Sequence, residues 1–321
     1  MKKVGLLLLV VIGCSKENAI RIEGETMATT YHITYFHHQD FRKEIDSLLI
    51  LVNKSINTYD TTSEVSVFNK SREGSKFSAP GILSKAREVY DASGGAFDPT
   101  VMPLVNAWGF GPKKQAIPDS AKVDSLRSTV GFEKVQFNND SVWKTDPRAQ
   151  LDFGGIGQGY GADVIANFLK SKGVENMFVE LGGEGLAIGR NLESGKEWNV
   201  AVLDPEDLDK FKTYVSLSDR SFTTSGNYYN YRIVNGQRFV HTIDPTTGYP
   251  VQSSILSVTV FAKDCTTADA WDTALMVMGH DKAIEMLKTH PELNGYIIYS
   301  TPDGTKTFAT KGIERYLTPA N

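Results

Sequence analysis

The spacing of apolar residues predicts a series of short helices and strands. Residues 29–36 are rich in β-branched and aromatic side chains, which favours a strand or a hairpin with the segment that begins at residue 20. Residues 40–56 carry apolar side chains at helical spacing, so we expect a helix that packs one face against a sheet. Further helices are predicted over residues 80–90, 119–130 and 162–172.

Strand patterns joined by turn signals dominate the second half of the chain. Asn235-Gly236 is a strong signal for a type I′ hairpin turn, whereas residues 182–185 and 223–227 are predicted as loops. Because hairpins outnumber crossovers, we predict an α+β fold with antiparallel sheets packed by helices, in a single large domain whose length also allows two fused halves. Strands are predicted over residues 177–181, 198–203, 214–218, 228–234, 238–243, 255–261, 295–300 and 305–310.

The first residues carry an export pattern. Two lysines precede an apolar run over residues 4–12 that is too short to span a bilayer, and Cys14 follows it. The tetrapeptide that ends at Cys14 resembles the lipobox of bacterial lipoproteins, in which the chain is cleaved before the Cys and the Cys is acylated. We therefore expect a signal peptide over residues 1–13, a lipid-bearing tether over residues 14–24 and a membrane-anchored protein of the bacterial cell envelope. A buried first strand is the alternative.

Composition narrows the possible function classes. The chain has 321 residues, of which 40% are hydrophobic and 22% are charged, so a folded globular core is expected. The formal net charge is -4 and no basic block marks a nucleic-acid surface, so nucleic acid is not an expected partner. With Cys14 acylated, only Cys265 remains, which excludes an intramolecular disulfide and a CxxC site.

Residues 266–279 predict a helix with several oxygen atoms on one face. Asp269 and Thr273 lie at positions i and i+4, and Asp272 lies beside them at i+3. Carboxylate and hydroxyl oxygens without a nearby His or Cys suit a hard cation such as Mg²⁺. Ordinary helix chemistry is the alternative: Thr266 or Thr267 would be the N-cap, and Asp269 a first-turn acid favoured by the helix dipole.

A glycine-dense segment over residues 154–161 leads into a predicted helix. Such a turn can bring backbone N–H groups against a phosphate. Residues 157–162 fit a loose GxGxxA pattern, but a dinucleotide-binding dehydrogenase needs a parallel sheet, and the predicted hairpins conflict with one.

Two further segments carry candidate polar groups. Asp98 precedes a proline and is biased to an extended backbone, which could present its carboxylate outward, although a turn acid is the alternative. Of the six histidines, only His241 lies among several other candidate motifs. A lone strand histidine is more often a hydrogen-bonded core residue.

Taken together, these segments resemble the ApbE-like FAD:protein FMN transferases. The resemblance runs from about residue 25 to the last hairpin, and the motifs occur in the family's order. They lie at residues 26–29, 58–59 with 63–64, 95–100, 103–105 with 108–111, 152–159, 182–183, 224–226, 241–250 and 268–273.

The resemblance implies a T-fold-like α+β domain over residues 25–321 that binds FAD and Mg²⁺. Such an enzyme transfers the FMN half of FAD to a Thr hydroxyl of an acceptor flavoprotein, at a Ser/Thr-Gly-Ala-Thr motif, and releases AMP. An FAD pyrophosphatase that gives FMN and AMP, and a flavin-binding lipoprotein without catalytic activity, are the alternatives.

Site residues follow from the same motifs. The metal oxygens would come from the backbone carbonyl of Gly155 and from Asp269, Asp272 and Thr273. His241 is our candidate for the base that takes the proton of the acceptor hydroxyl, because its ordinary pKa suits this role. The sequence departs from the family pattern at Ala28, where Gly is usual, and at Gln158, where Lys or Glu is usual. Flavin and nucleotide contacts would fall on Met27, Tyr59, Ala96, Phe97, Asp98, Asp152, Gln158, Thr224, Ser225, Gly226, His241 and Ile243.

Overall fold

Antiparallel strands build the main sheet, as the strand patterns predict. The computed structural model describes residues 18–112, 116–228, 230–234 and 236–320. The predicted signal peptide, the predicted lipid anchor on Cys14 and the first residue of the Asn235-Gly236 turn lie outside these ranges. No helix within them is long and apolar enough to cross a membrane.

Helices and short strands alternate in the first half of the chain, and strands dominate the second half. The helices are α1 (Arg42–Ile56), α2 (Glu64–Lys70), α3 (Pro80–Ala92), α4 (Met102–Ala107), α5 (Ser120–Arg127), α6 (Gly157–Ser171), α7 (Cys265–Met278), α8 (His280–Thr289) and α9 (Lys311–Glu314). The strands are β1 (Ala19–Thr26), β2 (Thr29–Phe36), β3 (Gly74–Lys76), β4 (Val135–Phe137), β5 (Ser141–Lys144), β6 (Met177–Leu181), β7 (Glu184–Ile188), β8 (Trp198–Asp204), β9 (Asp207–Leu217), β10 (Arg220–Gly226), β11 (Tyr231–Val234), β12 (Gln237–Val240), β13 (Ile255–Phe261), β14 (Asn294–Thr301), β15 (Gly304–Ala309) and β16 (Leu317–Pro319).

The main sheet has eight strands in the order β1-β2-β6-β7-β10-β13-β14-β15. Every neighbouring pair is antiparallel, which confirms the predicted α+β class and rules out the parallel sheet of a dehydrogenase. The sheet is open, with β1 and β15 at its edges, and it draws strands from both halves of the chain. The chain is therefore one α+β domain.

Two different layers cover the two faces of this sheet. Helices α1, α6 and α7 pack on one face, where Ile45, Ile165 and Leu275 are fully or almost fully buried. The three-stranded sheet β16-β9-β8 packs on the other face, where Trp198 and Val215 meet residues such as Phe222 of the main sheet. Side chains of the central strands therefore alternate between a helical layer and a second sheet.

Parts of two segments that the sequence predicts as loops are central strands. Residues 184 and 185 of the predicted loop at residues 182–185 belong to β7, whereas residues 182 and 183 form the β6–β7 turn; residues 223–226 of the predicted loop at residues 223–227 belong to β10. The two strands pair with each other, and β10 also pairs with β13. At these strand residues the loop prediction was wrong because glycine and hydroxyl residues are typical of loops, whereas here the sheet on both sides fixes the backbone.

Candidate active site

Helix α7 begins at Cys265 and is capped by the preceding residue. The side chain of Asp264 accepts a hydrogen bond from the backbone N–H of Thr267 at 2.9 Å, so neither Thr266 nor Thr267 is the N-cap. Asp269 consequently lies in the second turn of the helix and not in the first. Both parts of the ordinary-helix alternative are therefore wrong.

Asp269 and Asp272 are buried although each carries a carboxylate. The exposed fractions of the two residues are 4% and 1%. Oδ2 of Asp269 accepts a hydrogen bond from the backbone N–H of Gly159 at 2.8 Å, and Oδ1 of Asp272 accepts one from the hydroxyl of Ser225 at 2.8 Å. Within the described residues, neither carboxylate forms an ion pair.

Burial makes both carboxylates poor acids. Loss of solvation raises the pKa of Asp269 to about 7, and the charge of Asp163 adds to this rise. Loss of solvation also raises the pKa of Asp272 well above its ordinary value, with a further contribution from the charge of Asp269. A bound cation would stabilise the charged forms of both groups.

Two of the residues predicted to bind the metal, Gly155 and Thr273, come together although they are distant in the chain. A Cβ atom added to Gly155 would lie 2.6 Å from the hydroxyl oxygen of Thr273, so the backbone of Gly155 contacts this side chain closely. The hydroxyl of Thr273 also lies 3.4 Å from Oδ1 of Asp272. The structure therefore brings the predicted set Gly155, Asp272 and Thr273 to one place, and Asp269 is one turn away on the same helix.

These donors fit a hard divalent cation. They are two carboxylates, a hydroxyl and a backbone carbonyl, which are oxygen ligands of the kind that Mg²⁺ and Ca²⁺ take in proteins. In the part of the chain that the structure covers, no group of three or more His, Cys, Asp or Glu side chains is arranged to hold a metal ion. A Zn²⁺-type or other histidine and cysteine site is therefore not the chemistry that these residues support.

The glycine-rich segment packs closely against α7. A Cβ atom on Gly159 would be 2.4 Å from the carbonyl oxygen of Cys265 and 2.8 Å from Cβ of Asp269. Only glycine allows this approach. The segment was predicted to offer free N–H groups to a phosphate, but the N–H of Gly159 is already bonded to Asp269, so this group is not free.

Met27 and Gln158 lie beside the same glycine-rich segment. Met27 forms the turn between β1 and β2 together with Ala28, and both residues have positive φ angles, of 50° and 59°. The Met27 side chain packs near Gly161, and the amide of Gln158 packs near Gly182 at the β6–β7 turn. The two predicted contacts therefore meet near the first turns of α6.

Tyr59 is linked to His241 through Phe110, and Asp152 lies just before the glycine-rich segment. Burial of the Tyr59 hydroxyl, and then the charge of Asp152, raise the pKa of Tyr59. The Tyr59 hydroxyl donates to the carbonyl of Phe110 at 3.1 Å, and the Phe110 ring lies 6.5 Å from the ring of His241. Asp152 also accepts a bond from the N–H of Gly154 at 3.0 Å.

The surroundings of His241 favour a neutral imidazole ring that can accept a proton. Its Nδ1 lies 3.1 Å from the backbone carbonyl oxygen of Asn230. Since a carbonyl only accepts, Nδ1 carries the hydrogen and the lone pair is on Nε2. Burial lowers the pKa of His241 below its ordinary value, so the ring is uncharged at neutral pH.

Several predicted contact residues turn their side chains into the protein. Asp98 has the predicted extended backbone, with φ −139° and ψ 109°, but its carboxylate accepts bonds from the N–H and hydroxyl of Thr100 at 2.7 and 2.6 Å. The outward presentation of Asp98 is therefore wrong, and the turn-acid alternative is correct. Phe97 and Ile243 are 3% and 6% exposed and pack in hydrophobic clusters, whereas Ala96 is only partly buried.

The predicted residues of β10 divide between the two faces of the sheet. Ser225 faces α7 and donates to Asp272, whereas the hydroxyl of Thr224 lies 2.9 Å from that of Thr259. Alternation along the strand places Thr224 on the face away from α7. Gly226 ends the strand against the ring of Tyr228. Of these three residues, Ser225 is the one whose side chain belongs to the α7 cluster.

Asp163 is an important residue that the sequence analysis missed. Its carboxylate accepts bonds from the N–H of Cys265 at 2.9 Å, the N–H of Thr266 at 2.8 Å and the hydroxyl of Thr266 at 2.5 Å. Asp163 lies on α6, so it caps α7 from outside that helix. A polar residue near the inward face of a predicted helix was the only signal, and its partner is more than 100 residues away.

Comparison with known proteins identifies the family. A family model described as the ApbE family matches residues 27–297. The chain belongs to the ApbE family. The FAD:protein FMN transferase of Vibrio cholerae is 35% identical over 324 residues, which cover 97% of this chain and 96% of that protein. The FAD:protein FMN transferase of Haemophilus influenzae is 33% identical and covers 96% of this chain and 95% of its own length.

Solved ApbE structures have the same fold. The flavin transferase ApbE of Vibrio cholerae is 33% identical with a TM-score of 0.85, and it covers 94% of this chain and 99% of that one. The apo flavinyl transferase ApbE of Pseudomonas stutzeri is 30% identical with a TM-score of 0.84, and it covers 95% of this chain and 98% of that one. The predicted family and α+β class are therefore confirmed for this ApbE protein.

Proposed function

We propose that this protein transfers FMN from FAD to a Thr hydroxyl of an acceptor flavoprotein, with Mg²⁺ as cofactor and AMP as leaving group. Its relatives are named for FMN transfer from FAD to protein. The observation that carries the proposal for this chain is the pair of buried carboxylates, Asp269 and Asp272, which lack an ion pair within the described residues and adjoin the glycine-rich segment.

The reaction exchanges one bond to phosphorus for another. The acceptor oxygen forms a bond to the phosphorus on the riboflavin side of FAD, and the bond from this phosphorus to the bridging oxygen breaks. AMP leaves with the bridging oxygen. The proton of the acceptor hydroxyl goes to Nε2 of His241, because Nδ1 is already protonated and bonded to Asn230.

Asp269, Asp272, Thr273 and the carbonyl of Gly155 would hold the ion. Bound Mg²⁺ supplies positive charge that neutralises the diphosphate oxygens. The protein's own contribution is to fix these donors on two elements whose backbones touch at Gly159. Such preorganisation stabilises a phosphoryl-transfer transition state without covalent catalysis by the protein.

The direct test uses the full-length protein in detergent with FAD, MgCl₂ and an acceptor domain that carries the Ser/Thr-Gly-Ala-Thr motif. We expect covalent flavin on the acceptor, detected by in-gel fluorescence and mass, together with one AMP for each flavin transferred. An acceptor with Ala in place of the modified Thr is the matched control. Failure of the acceptor to gain flavin, under conditions where FAD binds, would contradict the proposal. Release of FMN and AMP without an acceptor would identify a pyrophosphatase.

We further propose that Cys14 is acylated and anchors the enzyme to the cell envelope membrane. The support is the sequence pattern of a charged start, an apolar run over residues 4–12 and a lipobox-like tetrapeptide. The variant Cys14→Ala should move the protein from the membrane fraction to the soluble fraction. A wild-type protein that is soluble after fractionation would contradict the anchor without affecting the transferase proposal.

A further inference from the structure

Glu184 is the first residue of β7 and faces the helical layer. Leu186 and Ile188, two and four residues further on, pack against α6 residues, whereas Ala187 packs on the opposite face with Trp198. Alternation along the strand therefore places the Glu184 side chain on the same side as α6 and α7. The sequence analysis placed this residue in a loop and gave it no role.

The start of β7 adjoins the face of α7 that carries the buried carboxylates. The thiol of Cys265, the first residue of α7, lies 3.3 Å from the carbonyl oxygen of Gly185. Asp269 follows Cys265 by four residues and so lies one turn along the same helix face. Glu184 is thus next to the position where the glycine-rich segment, β7 and α7 meet.

The Glu184 carboxylate lacks part of the hydrogen bonding and all of the ion pairing that would offset its burial in the described residues. Its Oε2 is buried and has no hydrogen-bond partner among the residues that the structure covers. No Lys, Arg or His of those residues forms an ion pair with it. Burial, and then the charges of Asp269 and Asp272, raise the pKa of Glu184 well above its ordinary value. Three acidic groups therefore affect one another in a region without a compensating cation.

A purely structural role does not explain this arrangement. A buried polar atom without a partner costs free energy in either protonation state, and Gln or an apolar residue at this position would avoid the charge. A cation that binds near Asp269 and Asp272 would offset the cost. The three carboxylates are not arranged to bind one ion directly, however, because no such group exists in the described ranges.

We propose that Glu184 belongs to the Mg²⁺ centre as an outer acid, which accepts hydrogen bonds from water molecules on the ion and does not bind the ion directly. This inference rests on the proposed function, since it assumes a metal ion held by α7. Mg²⁺ keeps several of its waters in protein sites, and these waters need acceptors. Groups that orient a metal's ligands typically change metal affinity by about 10–100-fold when they are removed.

Direct metal binding tests this proposal without FAD and without turnover. The probe is Mn²⁺, titrated into the full-length protein in detergent and followed by electron paramagnetic resonance. We expect Glu184→Gln to weaken Mn²⁺ binding by about 10-fold, because the amide keeps the shape but loses one acceptor oxygen and the charge. Glu175→Gln is the matched control, because it makes the same change at an exposed residue just before β6. This variant should bind Mn²⁺ as the wild type does.

Two further variants separate the possible outcomes. Glu184→Asp keeps the charge and should bind Mn²⁺ more tightly than Glu184→Gln, and it provides the test if Glu184→Gln does not fold. Mn²⁺ affinity within two-fold of wild type in both Glu184 variants, with binding lost in Asp269→Asn, would overturn this inference and leave the metal site intact. Unchanged Mn²⁺ binding in Asp269→Asn as well would overturn the metal site itself.

Discussion

Asp163, which is half-buried, and Asp269, which is buried, are acids on facing helices, and each contacts the N-terminal end of the other's helix. Asp163 on α6 accepts three hydrogen bonds from the first residues of α7, whereas Asp269 on α7 accepts one from Gly159 in the first turn of α6. Asp163 is therefore saturated with donors, but Asp269 keeps lone pairs for a further partner. The two acids therefore differ in exposure and, more clearly, in the number of hydrogen-bond donors around each carboxylate.

The largest effect should come from removing the charge of the unsaturated acid. We expect Asp269→Asn to lower kcat/KM by roughly 1,000-fold, about 4 kcal/mol, because the oxygen site loses charge while the shape is kept. The measurement is FMN transfer to the acceptor over a range of MgCl₂ concentrations, with circular dichroism as the check of folding. An unfolded variant would instead assign Asp269 a structural role like that of Asp163.

The next largest effect concerns the base. We expect His241→Gln to lower kcat/KM by roughly 100-fold at pH 7.5, because an amide cannot accept the proton. Since the pKa of His241 is lowered, wild-type activity should fall at acid pH, with a midpoint below the ordinary pKa of histidine. The variant should lack this acid limb. A variant that retains the limb would show that another group is the base.

Asp98 is a buried acid whose carboxylate is bonded within the protein, and it should make the free energy of unfolding depend on pH. Burial raises the pKa of Asp98 from 3.8 to about 6, so its ionisation costs more in the folded protein than in the unfolded chain. The associated stability is present below about pH 4 and is lost as the pH rises through about 6. Relative to wild type, Asp98→Asn should therefore gain roughly 2 kcal/mol between pH 4 and pH 7. Urea unfolding at both pH values measures this gain, and a constant difference would contradict it.

Asp163→Asn should lower the unfolding free energy and leave kcat largely unchanged. Replacing one acceptor oxygen by an NH₂ group sets a donor against the N–H groups of α7, which we expect to cost about 1–2 kcal/mol in unfolding free energy. The half-saturating Mg²⁺ concentration should rise because α7 is less well positioned, whereas kcat at saturating Mg²⁺ should be retained. A fall in kcat that excess Mg²⁺ does not restore would assign Asp163 to the reaction itself.

The smallest expected effect is a gain in stability. Ala28 has a φ angle of 59°, in the left-handed region that favours glycine. Ala28→Gly should therefore stabilise the turn between β1 and β2 by roughly 0.5–1 kcal/mol, because backbone strain is relieved. Thermal unfolding gives the measure. A loss of stability would mean that the greater flexibility of the unfolded glycine chain outweighs the strain.

The sequence predicts local features of the site better than its assembly. The relation among Asp269, Asp272 and Thr273 follows from helix periodicity and is present in the structure. The contacts of Gly155 with Thr273 and of Asp163 with Cys265 join distant parts of the chain, so no local pattern reveals them. β7 and β10 were missed for a related reason. Their glycine and hydroxyl residues pack against adjacent strands and α7. The composition of these segments does not by itself favour a strand.

The close contact at Gly159 has a mechanical consequence. Because the backbone of Gly159 packs against the carbonyl of Cys265, α6 and α7 cannot approach each other more closely here, and any side chain at this position would push them apart. We therefore expect the glycine-rich segment and α7 to move together. Any motion that admits a substrate or releases a product is then expected in elements outside this pair.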